Sequence, residues 1–238
     1  MDQIEKKTGV ILVAGGVGSR MGKQLPKQFL LLNGQPILAH TINRFAQALP
    51  YAQLVVVLPE AFICFWKDFA ARFEVAKHTV VAGGTERFYS VKNGLTALAD
   101  DTEIIAVQDG VRPLASAELI RRTWDCAVEH GSAIPVIEPV DSYRTLADGG
   151  SEVIDRQRLR IIQTPQIFCA DTLRQAYKTE FDATFTDDAS VVEHSGFSLS
   201  LCEGERTNFK ITTPTDIICA EALLVAPSNS EDDGRANL

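Results

Sequence analysis

The chain has 238 residues, 45% of them apolar and 23% charged, and a net charge of −8. That length and composition fit one globular α/β unit with an insertion, and no run is long enough to span a membrane. An acidic chain is a poor candidate for duplex nucleic acid, which requires a basic face, so neither nucleic acid nor a membrane is expected as a partner, and an anionic ligand would need a local cluster of Lys and Arg.

Val10–Val13 is a short apolar run that reads as a buried strand, and it opens almost directly into GGVGSRMGKQLPK, Gly15 to Lys27. Glycines let the backbone turn tightly and present bare N–H groups. Arg20, Lys23 and Lys27 add positive charge, a combination that fits a polyphosphate. The loop is not of the Walker type, because Gly22-Lys23 is followed by Gln24 where a magnesium-binding Ser or Thr would stand. Nor is it a dinucleotide fingerprint. Gly16 and Gly18 fit Gly-x-Gly-x-x-Gly, but Met21 holds the third position and Pro26-Lys27-Gln28-Phe29 comes next. An ordinary strand-to-helix turn is the plain alternative.

Beyond the loop, β-branched runs alternate with helical stretches. Pro36–Leu49 reads as a helix with Ile37, Leu38, Thr41, Ile42 and Phe45 at helical spacing and Pro36 suited to the first turn. Leu54–Leu58 is a strand, Ala61–Phe73 a helix, and Gly83-Gly84 follow a strand end ahead of a helix over Ser90–Ala99. The strand Ile104–Val107 leads to Asp109 in VQDGVRP, with Arg112 three residues on. An acid there can hold magnesium, which takes its remaining ligands from phosphate oxygens, or a ribose hydroxyl; a helix cap or turn aspartate is the alternative. A helix over Ser116–His130 and a strand over Ala133–Ile137 continue the pattern.

Such alternation predicts a mostly parallel sheet covered by helices on both faces, with ligands beyond the carboxyl ends of the strands. Gly15, Gly83-Gly84 and Asp109 should therefore meet at one rim. From Glu138 to Arg160 the chain turns polar around Gly149-Gly150, which reads as a projecting β-hairpin, or as a plain surface loop. A long hairpin is marginal alone, which points to a partner subunit. Pro214–Val225 reads as a last helix, and APSNSEDDGRANL as a disordered tail.

Cys64, Cys126, Cys169, Cys202 and Cys219 are odd in number and scattered, which fits small buried residues in a reducing compartment and not a zinc site. With an N-terminus that has no apolar signal core, they predict a cytoplasmic protein. His40, His78, His130 and His194 are expected to be structural.

Six motifs in order carry a resemblance: AGGVGSRMGKQLPKQFL, GGTERFYSVKNGL, QDGVRPL, DRQRLRIIQTPQIF, FTDDASVVE and NFKITTPTDI. Together they resemble the 2-C-methyl-D-erythritol 4-phosphate cytidylyltransferases of the non-mevalonate isoprenoid pathway, over nearly the whole chain from residue 9 to 225. Ribitol-5-phosphate cytidylyltransferases are the cousins that share the fold and the CTP half of the site. The resemblance implies a Rossmann-like α/β nucleotidyltransferase sandwich with a mostly parallel central sheet and a projecting β-hairpin arm. It implies one domain over residues 1–226, the arm at about 138–160, and a tail over 227–238. The reaction it implies joins CTP to the acceptor phosphate with release of pyrophosphate, aided by magnesium or another divalent cation such as manganese.

Residue by residue, the resemblance implies that Arg20, Lys27 and Lys210 are catalytic cations. Ala14, Gly15, Gly16, Gly18, Gly84, Thr85, Ser90 and Asp109 fall on CTP-binding positions, Asp109 also on the metal position. Arg112, Ser142, Arg156, Thr164 and Thr186 fall on acceptor positions, and Ser142 and Arg156 lie in an arm that completes the neighbouring subunit's pocket in a homodimer. There are departures: Ser142 stands for the usual Thr, Thr85 for a frequent Asp, and Gly15 and Ser19 for Ala and Arg. Val111 also occurs in the ribitol cousins, whereas Asp155-Arg156 favours the methylerythritol acceptor.

Overall fold

A computed structural model of the chain describes residues 6–16 and 25–225. In chain order these form β1 (Thr8–Val13), a small ribbon of β2 (Leu31–Leu32) and β3 (Gln35–Pro36), α1 (Ile37–Ala48), β4 (Gln53–Leu58), α2 (Ile63–Ala70), β5 (Thr79–Ala82), α3 (Arg87–Ala97), β6 (Ile104–Asp109), α4 (Ala117–His130) and β7 (Ser132–Ile137). Next come β8 (Tyr143–Ala147), β9 (Gly150–Ile154), β10 (Ile161–Ile162), β11 (Gln166–Cys169), α5 (Ala170–Ala176), α6 (Asp188–His194), β12 (Leu201–Glu203) and α7 (Pro214–Val225).

The central sheet has the order β10-β7-β11-β6-β1-β4-β5, with β12 beside β7. β5, β4, β1 and β6 are parallel, as the alternation predicts. Side chains alternate across a strand, so each strand of this block feeds two cores. Val10, Leu12, Val56 and Ala106 pack with Leu38, Ile42 and Phe45 of α1, Trp66 of α2 and Leu119 and Ile120 of α4. Ile11, Val55, Val57, Ile105 and Val107 face the other way, onto Val91 and Leu95 of α3, Leu173 and Ala176 of α5, and Val191 and Val192 of α6. Fully burying one such aliphatic side chain stabilises the fold by about 1.5–3 kcal/mol, so these two faces hold the strand ends in register. A smaller cluster of Leu32, Ile37, Val111, Leu114 and Ile211 seats α7 through Ala220.

β11 runs antiparallel to both β6 and β7, and β10 antiparallel to β7. Ile162 faces Val136 while Ile167 faces Ala133, so five steps along one strand answer three along β7. β10 and β11 are thus one strand interrupted over residues 163–165, where the Thr164–Pro165 bond is cis. β8 and β9 pair only with each other, turning at Asp148-Gly149 with Gly149 at φ 83°, a left-handed position that glycine adopts without steric cost. The expected hairpin is therefore present, with Leu146 91% and Val153 74% exposed.

Some details differ from expectation. α3 begins three residues before Ser90, because Ser90 is not a cap; its side chain turns back into the preceding loop. The long helix expected over Ala61–Phe73 is a 3-10 turn, Glu60–Phe62, followed by the shorter α2. The cysteines are not buried: Cys64 and Cys219 are exposed and the other three half-buried. Burial still pushes the Cys202 thiol up to about 11 and raises Cys126, so neither is a reactive thiolate. Among the described residues no helix is long and apolar enough to cross a membrane. The expected tail, residues 227–238, lies outside the described residues.

Candidate active site

Three backbone bonds lace the strand ends together at the carboxyl rim of the parallel block. Ala14 N–H donates to Val57 O (2.9 Å), Gly110 N–H to Val13 O (2.8 Å) and Gly83 N–H to Leu58 O (2.7 Å). Gly15, Gly83-Gly84 and Asp109 do meet there. The 3-10 turn Lys27–Phe29 closes on the glycine loop through Gln28, whose buried amide donates to Ala14 O (2.7 Å) and Gly16 O (3.2 Å). Lys27 sits half-buried on that turn. Gly18 and Arg20 lie outside the described residues, as does Lys23.

After β5 the chain winds tightly onto the first turn of α3. Gly84 N–H donates to Ser90 Oγ (3.2 Å), which itself donates to Glu86 O (3.1 Å). A Cβ on Gly84 would stand 2.2 Å from Cβ of Tyr89, so only glycine fits this approach. A Cβ on Gly15 would come 3.2 Å from the same Ser90 hydroxyl. Ser90 is therefore the peg that holds Gly84 close to Gly15, and Thr85 is exposed at the loop's tip.

Asp109, buried at the end of β6, gathers three cations. Its Oδ2 is 3.0 Å from Lys210 Nζ and 3.3 Å from Arg112 Nε, and its Oδ1 is 3.8 Å from Arg87 Nε. Burial pushes the Asp109 carboxyl up, but Lys210, Arg87 and Arg112 outweigh it and hold the pKa down at about 2. Arg112 also donates to Asn208 O (2.7 Å), while buried Asn208 donates to Thr164 O (2.9 Å). Thr164 Oγ1 accepts from Asp109 N–H (3.1 Å), so the interrupted strand is pinned to the end of β6. Asp109, Arg112, Thr164 and Lys210, which the resemblance put on the metal, acceptor and catalytic positions, lie together here.

Thr186 is exposed one residue before Asp187, which caps α6. Ser142 and Arg156 are exposed on the arm, where Arg156 donates to Val140 O. Among the described residues no hydrogen bond or ion pair joins those two to the Asp109 cluster. The histidines stand apart: His78 accepts from Trp66 Nε1 (3.0 Å), and His40 Nε2 lies 2.7 Å from Leu32 O.

Among the described residues no group of three or more His, Cys, Asp or Glu could hold a metal. The donor set present fits a hard divalent ion of the kind that takes one carboxylate and completes its shell with phosphate oxygens. Three cations hold the Asp109 carboxyl ionised, and among the described residues its Oδ1 has only the longer contact to Arg87.

Ionised and cationic groups around a glycine-rich backbone suit a polyanionic substrate whose charge shifts during reaction. The profile of the IspD family, 2-C-methyl-D-erythritol 4-phosphate cytidylyltransferase, matches residues 8–226. The chain belongs to this family. A 2-C-methyl-D-erythritol 4-phosphate cytidylyltransferase from Bacteroides thetaiotaomicron is 47% identical over 219 residues, 92% of this chain and 100% of the relative. The crystal structure of the enzyme of that name from Thermus thermophilus is similar at 31% identity and a TM-score of 0.73, covering 92% of this chain and 98% of its own. A 4-diphosphocytidyl-2C-methyl-D-erythritol synthase from Anaerococcus prevotii has a TM-score of 0.78 at 28% identity, covering 92% and 96%. The mostly parallel α/β fold is that of the family's solved structures.

Three residues of the site were not singled out from the sequence although they lie inside the family motifs: Gln28, Arg87 and Asn208. Arg87 was open to detection as a cation at the start of a helix, shortly after a double glycine. Gln28 and Asn208 carry no such signal, since a polar side chain in a loop is ordinary until its burial is seen.

Proposed function

We propose that this chain is a nucleotidyltransferase that joins CTP to 2-C-methyl-D-erythritol 4-phosphate, giving 4-diphosphocytidyl-2-C-methyl-D-erythritol and pyrophosphate. The observation that carries the reading is the Asp109 cluster at the rim, with Lys210, Arg112 and Arg87 around one ionised carboxylate beside the Gly15 and Gly84 segments. Full-length likeness to enzymes of that name supports the same choice.

The second pKa of a phosphate monoester is about 6, so at neutral pH the acceptor is already an oxyanion nucleophile and needs no general base. That agrees with a cluster to which, among the described residues, no histidine makes a hydrogen bond or ion pair. The task is to bring two polyanions into line and to stabilise the charge that moves to the departing pyrophosphate, which is positioning and electrostatics. In this reading Ala14, Gly15, Gly16, Gly18, Gly84, Thr85 and Ser90 seat the nucleotide. Arg20 and Lys27 hold the triphosphate and steady the leaving group, and Lys210 faces the α-phosphate. Arg112, Thr164 and Thr186 take the acceptor, with Ser142 and Arg156 supplied by a second subunit. Magnesium held by Asp109 would neutralise phosphate-oxygen charge.

The homodimer is supported by an arm whose two strands, among the described residues, pair with each other alone, and by the exposure of Leu146, Val153 and Val140. A cytoplasmic location is supported by five cysteines that form no disulfide. The test is pyrophosphate release from each of the four nucleoside triphosphates, with methylerythritol phosphate and with ribitol 5-phosphate. Release confined to CTP with methylerythritol phosphate is expected; turnover of ribitol phosphate alone would overturn the acceptor.

A further inference from the structure

We infer that Arg87 is a positioning residue that sets Asp109 and the segment before α6 against each other, and that buried Asp188 acts through it. The inference rests on the proposed cytidylyl transfer. Arg87 opens α3, directly after the Gly84-Thr85 loop. Its Nη2 donates to Asp188 Oδ2 at 2.6 Å, and its Nε lies 3.8 Å from Asp109 Oδ1. Asp188 opens α6, two residues after Thr186, and its side chain is wholly inaccessible. It therefore cannot touch a substrate, and whatever it does for the reaction passes through a neighbour.

The surroundings of this pair leave it little freedom. Asp188 Oδ1 accepts from the buried Tyr177 hydroxyl at 2.6 Å, and the Tyr177 ring stacks on Phe88, the residue after Arg87, with centroids 4.8 Å apart. Gln166 of β11 clamps the start of α6 from the other side. Its Nε2 donates to Asp187 Oδ2 (2.7 Å) and its Oε1 accepts from Ala189 N–H (2.8 Å). Gln166 is two residues from Thr164, which holds the Asp109 backbone. Arg87 thus ties the loop proposed to read cytidine, the acid proposed for the metal and the segment proposed for the acceptor.

Stability alone does not explain such a pair. Taking two charges out of water costs as much as their attraction returns, and apolar residues of the same volume often serve better. A guanidinium, by contrast, presents donors in a fixed planar fork that meets two carboxylates from set directions, whereas a lysine ammonium is a compact point charge whose donors rotate. The planar fork fixes the direction from which charge reaches Asp109.

The test uses the full-length chain with four variants: Arg87→Met, Asp188→Asn, the double variant, and Ser190→Ala as a control. Ser190 completes the capping box of α6 without touching Arg87, so its loss disturbs the helix alone. Asp188→Asn and Arg87→Met are each expected to lower kcat by about 10²-fold at saturating substrates, the scale of a misplaced catalytic group, with a smaller change in the KM for CTP. Because Asp188 acts through Arg87, the double variant should be no slower than Arg87→Met, where independent effects would multiply. Ser190→Ala should lower the melting temperature and keep kcat. Multiplying losses, or wild-type kcat in folded Asp188→Asn, would overturn the inference. Should Asp188→Asn not fold, Tyr177→Phe decides: removing one hydrogen bond to Asp188 is expected to slow kcat about 3- to 10-fold, and unchanged kcat overturns the inference. An inactive wild type would overturn the proposed function as well, whereas an active wild type with equally active variants overturns only this inference.

Discussion

Replacing Asp109 by Asn keeps the outline of the side chain and removes its charge, which isolates what the cation cluster does for the fold. Burial disfavours the carboxylate, yet Lys210, Arg87 and Arg112 bring its pKa from the ordinary 3.8 to about 2. At about 1.4 kcal/mol per unit, the ionised group stabilises the folded state by about 2–3 kcal/mol at neutral pH. With only 11% of the side chain exposed, solvent screening removes little of this. A depressed pKa contributes stability that is fully present above the unfolded value and is lost as pH falls through the folded one. The gap between wild type and Asp109→Asn should therefore be about 2–3 kcal/mol at pH 7, roughly half of that at pH 3, and close to nothing under pH 2. Urea unfolding of both proteins across that range measures it, provided the slopes agree. A gap under about 0.5 kcal/mol at pH 7, or one that does not shrink by pH 3, would refute the reasoning, because only an ionised and compensated carboxylate gives this profile.

Lys27→Ala should lower kcat by about 10²–10³-fold, as loss of a charge-stabilising donor does, with an unchanged circular dichroism spectrum; near-normal turnover would remove Lys27 from the chemistry. Arg156→Ala should raise the KM for the acceptor while calorimetric CTP binding stays at the wild-type value. An unaltered acceptor KM would mean that the arm's arginine does not reach a neighbour's pocket. Leu146→Asp with Val153→Asp puts charge on the two most exposed apolar side chains of the arm, and should shift the sedimentation profile from dimer toward monomer. An undisturbed dimer would place the interface elsewhere.

The meeting of Gly15, Gly83-Gly84 and Asp109 at one rim was legible because its signals are local. Glycines after an apolar run, and an acid at the end of another, answer the needs of a strand end beside phosphate. The alternation of runs likewise carried the parallel block and the helices on both faces. The features that escaped reading depend on partners far apart in sequence. β11 is four residues long, too short for periodicity to register, and its reversal becomes visible only in pairing with β6 and β7. α6 begins in a run of polar residues, where Asp187 and Ser190 form a capping box that a closer reading of FTDDAS could have found. The cysteines were misjudged because cysteine is buried on average, and the average says nothing of which face of a helix or strand a residue takes.

The reversed strand β11 has a consequence for how this rim can be inherited. Parallel strands deliver to the rim only the residues after them, whereas a reversed strand delivers the residues before it, here Thr164. The chain therefore visits the rim in two sweeps: one ends at Arg112, and the other starts beyond β7 and runs through the arm and Thr164 to Lys210. Residues proposed to seat the nucleotide fall in the first sweep, and most of those proposed for the acceptor fall in the second. Recombination at a single point within α4 could thus pair one relative's nucleotide side with another's acceptor side, changing the alcohol that is activated while leaving the activating nucleotide untouched.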